Sequence, residues 1–121
     1  GAIARETARR AAALGMQVVA FDPLLKADDP AWSLAARRDL DALLAESDVV
    51  SLHVPLTPET RRMLDAASFA RLRRGAIVIN AARGGALAEA ALAAALRSGH
   101  LGGAALDGFE REPLDAESAR V

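Results

Sequence analysis

The sequence has 121 residues, enough for one domain and too few for a complete two-domain enzyme. A hydrophobic share of 52% with 26% charged residues is that of a globular chain with a packed core, and excludes a disordered or fibrous one. Fifteen basic residues nearly cancel sixteen acidic ones, and the net charge of -1 provides no broad field for a nucleic acid or an anionic membrane.

The chain contains no cysteine, which removes disulfides, thiolate metal sites and a thiol nucleophile and makes a cytoplasmic location the expectation. No apolar run approaches the roughly 20 residues that span a bilayer, and residues 1–5 lack the plan of a secretory signal. The absent initiator methionine and the abrupt stop after residues 117–121 suggest a piece of a longer chain.

Along the chain, apolar residues at helical spacing over 3–14 predict a helix stopped by Gly15. Residues 16–21 form a short apolar run that predicts a buried strand, ended at Asp22-Pro23. Residues 23–38 have no clear period and read as a loop, with a short edge strand near 37–40. A short helix over 41–45 and a buried strand over 48–54, ended by Pro55, come next. Thr57-Pro58-Glu59 supplies a capping hydroxyl, a proline suited to a first helical position and an acid that favours the helix dipole. A helical turn is expected there. Residues 68–73 predict a helix ended by Gly75, and residues 76–80 a strand rich in β-branched side chains. An alanine-rich helix over 87–97 stops at Ser98-Gly99, and a last strand over 103–106 leads to Asp107.

Apolar strands alternating with helices are the mark of parallel βαβ units, so the class is α/β, with helices on both faces of the sheet. In such sheets ligands lie beyond the carboxyl ends of the strands, which directs attention to Asp22, Val54-Pro55, Ala81-Ala82-Arg83 and Asp107. Gly1-Ala2-Ile3-Ala4 opens a helix and fits the tail of a dinucleotide-binding loop, where a residue without a side chain meets the pyrophosphate and a small one packs on the sheet. A chance glycine and alanine in an alanine-rich chain fit it equally. Asp22 follows at about the separation where a carboxylate accepts from the adenosine ribose, and its charge would repel a 2′-phosphate, favouring NAD over NADP.

With these residues in view, the sequence resembles the D-isomer-specific 2-hydroxyacid dehydrogenases, the group that includes phosphoglycerate, glycerate and D-lactate dehydrogenases. The resemblance rests on Leu14-Gly15-Met16 with Phe21-Asp22-Pro23, on the stretch from Ser51 through His53-Val54-Pro55 to Thr60, and on Asn80-Ala81-Ala82-Arg83-Gly84-Gly85. It continues through Gly103 to Asp107 and on to Glu110-Arg111-Glu112-Pro113, covering essentially the whole chain in order.

The resemblance implies a Rossmann-like, doubly wound parallel sheet in three αβα layers, lacking its first, central strand, with the substrate-binding domain absent. It implies NAD as cofactor and a small 2-hydroxy or 2-keto acid as substrate. It also implies a homodimer in the full-length parent. Arg83 would hold the substrate carboxylate and polarise its carbonyl, a task suited to a planar fork that cannot lose its charge. Glu112 matches the acidic residue that orients a histidine and raises its pKa, while that histidine would fall past residue 121. Asp107 matches the residue that bonds the nicotinamide carboxamide, Val54 and Pro55 the wall beside the cofactor, and Gly1, Ala2, Ile3, Asp22, Ala81 and Ala82 further cofactor contacts. His53 and His100 read as packing and turn residues rather than acids, and Trp32 as a loop anchor.

Two departures from the family pattern stand out. Ala88 replaces the usual cap of the helix after Arg83, leaving Glu89 to compensate through the dipole, and Gly108 replaces an apolar residue, which predicts a looser hinge toward Glu112. Without the central strand, the strands at 16–21 and 48–54 would lose shared partners, so the isolated chain is expected to be marginally stable or to aggregate. A dinucleotide-sensing, corepressor-like binding module and an inactive truncated product remain as alternatives.

Overall fold

A computed structural model describes residues 1–113; the closing stretch 117–121 lies outside the described residues. The chain forms two units, Gly1–Leu43 and Leu44–Val121.

In the first unit, α1 (Ala2–Ala13) ends where the Leu14 N–H bonds back to the carbonyls of Arg10 and Ala11 and Gly15 takes the left-handed conformation, φ 84°. A two-residue strand, β1 (Val19–Ala20), pairs in parallel with β2 (Ala36–Arg37), and a single 3-10 turn over Pro30–Ser33 lies between them. The strand expected over 16–21 is therefore shorter and only half-buried, because β2 is the one strand paired with it in a two-stranded sheet. The edge strand expected near 37–40 falls slightly earlier. Trp32 is a loop anchor, as its position suggested: its indole Nε1 donates to the Lys26 carbonyl at 2.8 Å.

Following α2 (Leu40–Glu46), the second unit is built on a parallel three-stranded sheet in the order β3 (Val49–Leu52), β4 (Ile77–Asn80), β5 (Gly103–Leu106). The register is uninterrupted and brings Leu52, Asn80 and Leu106 to one end as consecutive partners. Two helices connect these strands: α3 (Ala66–Arg71), capped by the Asp65 carboxylate on the Ser68 N–H at 3.0 Å, and α4 (Glu89–Arg97). Both crossovers run from one parallel strand to the next, which is the βαβ plan.

The buried apolar side chains all lie in this unit, with Leu44, Val50, Leu52, Leu64, Phe69, Val78, Leu87 and Leu92 among them. Burial alternates along β3 and β4, so one face is fully covered while Val49, Ser51 and Ile79 are half-buried and Ile77 is exposed. The strands expected to be buried over 48–54 and 76–80 are thus fully buried at alternate residues only.

The helical turn expected from Thr57 is a single turn. The Thr57 hydroxyl meets the Thr60 N–H at 3.3 Å and the Arg61 N–H reaches the Thr57 carbonyl at 2.9 Å, but Arg62 then adopts φ 50° and ends the spiral.

Candidate functional site

Three loops leave the carboxyl end of the β3–β4–β5 sheet, and they carry most of the candidate residues. After β3 come His53, Val54 and Pro55. The His53 ring Nε2 lies 2.9 Å from the Ser51 Oγ, and partial burial holds its pKa below the ordinary imidazole value. Val54 is half-buried and Pro55 exposed, with the Pro55 carbonyl accepting from the Thr60 hydroxyl at 2.6 Å.

After β4 the chain turns on Asn80, which is fully buried. Its Nδ2 donates to the Arg83 carbonyl at 2.9 Å and its Oδ1 accepts the Ala82 N–H at 3.1 Å. One side chain thereby supplies both partners that the Ala81-Ala82-Arg83 backbone needs to bend back on itself. Arg83 stands at the outer edge of this loop, exposed, with Nη1 donating to the Ala82 carbonyl at 3.2 Å and no carboxylate partner among the described residues. Most of its fork is free for an anionic ligand.

After β5, the Asp107 N–H extends the ladder to the Asn80 carbonyl at 2.9 Å, and its side chain is exposed. Glu112 folds back so that its Oε1 accepts the Phe109 N–H at 2.9 Å. The β4 and β5 loops interlock. A Cβ added at Gly84 would stand 1.9 Å from the Phe109 carbonyl carbon, and one at Gly108 would stand 3.0 Å from the Gly84 nitrogen. Only backbone meeting backbone fits there. This overturns the looser hinge expected at Gly108, which is buried in that contact. As expected, the α4 N-terminus has no side-chain cap and Glu89 lies in its first turn, where its charge favours the dipole; its carboxylate also accepts the Glu110 N–H.

The structure therefore brings Ala81, Ala82, Arg83, Asp107 and Glu112 together on interlocked loops, with Val54 and Pro55 on the loop at the same sheet end. The remaining candidates belong to the first unit. Gly1 precedes α1 with open space where a Cβ would lie, Arg5 N–H bonds to its carbonyl at 3.2 Å, and Ala2 and Ile3 are exposed. Asp22 follows β1 and uses Oδ1 to accept the Leu24 N–H at 2.9 Å. With Phe21, Pro23, Arg37, Arg38 and Asp39 it lines an open cavity of about 540 Å³. That volume lies within the roughly 300–1,000 Å³ of small-molecule sites, and the second oxygen of Asp22 remains for a diol. These residues fit the adenosine end of a dinucleotide.

Reading the sequence missed Asn80 as the brace of the Arg83 loop, although an asparagine ending a β-branched strand is a signal for such a turn. It also missed Arg62, whose Nε donates to Glu110 at 2.8 Å and which gave no local signal.

Residues 1–120 match the family model described as D-isomer specific 2-hydroxyacid dehydrogenase, NAD binding domain. The chain is 55% identical over 119 residues to a (S)-sulfolactate dehydrogenase of Chromohalobacter salexigens, covering 98% of this chain and 38% of that protein. It is 47% identical over 113 residues to a glycerate dehydrogenase of Methylorubrum extorquens, covering 93% and 33% respectively. Among solved structures, a D-lactate dehydrogenase with NAD+ from Lactobacillus jensenii superposes with a TM-score of 0.87 at 31% identity, over 98% of this chain and 37% of that one. The chain thus spans about a third of the length of these relatives, and the part it spans is of one kind. It belongs to the D-isomer-specific 2-hydroxyacid dehydrogenase family, as an NAD-binding domain.

Proposed function

We propose that this chain is the cofactor-binding domain of an oxidoreductase that moves a hydride between NAD(H) and a small D-2-hydroxy acid or its 2-keto partner. The observation that carries this reading is the backbone contact of Gly84 with Phe109, which holds the Arg83 and Glu112 loops side by side at one sheet end.

The Arg83 fork receives the substrate carboxylate and draws charge from the neighbouring carbonyl, which needs a cation that stays protonated at every working pH. Glu112 orients the proton donor, a histidine that the family resemblance puts beyond residue 121, and its negative charge favours the protonated ring. Asp22 holds the adenosine ribose, Gly1, Ala2 and Ile3 the pyrophosphate, and Ala81, Ala82, Asp107, Val54 and Pro55 the nicotinamide end. When bound, NADH supplies the hydride. Two cation- and acid-bearing loops locked together favour catalysis over the sensing module, which needs no clamp for a substrate carboxylate.

The test is NADH consumption by the complete protein with glyoxylate, hydroxypyruvate, phosphohydroxypyruvate and the keto acid of sulfolactate, the names of two relatives placing the hydroxypyruvate and sulfolactate arms first. Turnover with at least one is expected. NADH binding without turnover on any would instead favour the sensing module. Two attendant proposals have their own tests, a homodimer by light scattering of that protein and a cytoplasmic location by fractionation of the cells that make it.

A further inference from the structure

The geometry points to Arg62 as a positioning residue that sets the loop bearing Glu112 against the loop bearing Arg83. The inference rests on the functional reading above for its catalytic consequence.

Arg62 is the one non-glycine residue with positive φ among the described residues, at 50°. A side chain in that region is disfavoured, and it persists only where surrounding bonds over-determine it. Two such bonds are present. The Arg62 N–H donates to the Gly85 carbonyl at 2.8 Å, two residues after Arg83. Its guanidinium Nε donates to the Glu110 carboxylate at 2.8 Å, two residues before Glu112. The Glu110 N–H is in turn bound by Glu89 at the start of α4. One residue of the β3 loop therefore grips the other two loops, one by backbone and the other by side chain.

Stability does not account for this arrangement. The Glu110 side chain is 24% exposed but that of Arg62 is 65% exposed, and an ion pair with one partner so open to solvent contributes little to folding. Glycine would adopt φ 50° without strain. What arginine adds over glycine is the grip on Glu110, which limits how far the 109–112 segment can move from Arg83. Small displacements of catalytic groups are costly to rate even when binding is intact.

The test compares Arg62→Gly, Arg62→Lys and Glu110→Gln in the complete protein. For Arg62→Gly we expect a melting temperature equal to or above that of the parent, faster amide hydrogen exchange confined to residues 107–112, and kcat lowered about tenfold with KM for NADH within about twofold. Arg62→Lys should recover part of kcat, and Glu110→Gln should reproduce the loss without adding to it in the double variant. Unchanged exchange at 107–112 in Arg62→Gly overturns the inference whatever the activity. Faster exchange with unchanged kcat overturns the positioning role. If the parent turns over none of the keto acids, the functional reading fails with the catalytic consequence, while the exchange measurement still decides whether Arg62 holds the loop.

Discussion

Arg83 and Asn80 divide the work of one loop. The arginine presents charge outward, and the buried asparagine fixes the backbone that presents it. Arg83→Lys keeps the charge but loses the planar fork, so kcat/KM for a 2-keto acid should fall by about 100-fold or more with circular dichroism unchanged. A loss below about threefold would show that a point charge suffices. Asn80→Leu should act differently. It leaves the Ala82 N–H and the Arg83 carbonyl without partners, at about 1–3 kcal/mol for each group that stays buried, and should lower both the urea midpoint and the activity. On the proposed role of Asp22 at the ribose, Asp22→Ala should weaken NADH binding and narrow the preference over NADPH, since a carboxylate placed to bond the ribose hydroxyls would also repel a 2′-phosphate. Isothermal titration with both cofactors checks this, and an unchanged ratio would remove Asp22 from the ribose. The sequence pointed to Arg83 because motif and chemistry agree just past a strand end, and to Glu112 through the family resemblance alone. Arg62 was not legible, because its role depends on a backbone angle and on a partner at residue 110, neither of which leaves a local pattern.

Most of the elements were legible, and the exceptions share a cause. The strands at 49–52, 77–80 and 103–106 each lie within the apolar runs that predicted them, and both helix stops at Gly15 and Gly99 show the left-handed φ that makes glycine useful there. The strand over 16–21 shrank and the turn at 57–60 stayed single because length depends on neighbours that a local pattern does not contain. The α3 start was set by Asp65, which the periodicity passed over. Its carboxylate accepts the Ser68 N–H and hydroxyl, and these bonds, the N–H foremost, hold its pKa below the ordinary value of 3.8. A carboxyl with a depressed folded pKa stabilises the fold fully above that ordinary value and loses the contribution as pH falls through the depressed one. Asp65→Ala should therefore lower the melting temperature near neutral pH, with the gap to the parent closing at strongly acidic pH. Parallel melting curves across that range check it, and a gap that stays constant with pH would mean that the cap does not act through its charge.

At the scale of the molecule, the two units differ in what holds them. Among residues 1–43 none is fully buried, α1 buries no side chain, and the only sheet has two strands of two residues each. Ile3, Leu14 and Leu24 are 74%, 82% and 90% exposed. The second unit holds every buried apolar side chain, a three-stranded sheet and two packed helices. Apolar burial is the dominant favourable term in folding, and segments with little of it open locally at a free energy well below that of the whole. Hydrogen exchange on the 121-residue chain should therefore show amides of α1, β1 and β2 exchanging far faster than those of β3 and β4, under conditions where the second unit is still folded. The unit expected to open first is then the one that carries Asp22, the residue proposed to bind the ribose, while the Arg83 and Glu112 loops stand on the unit with the buried core. NADH should slow exchange in the first unit more than in the second, because a ligand lends most to the segment that has least of its own. Equal protection of α1 and β4 in the free chain would show that exposure misjudges how the first unit is held.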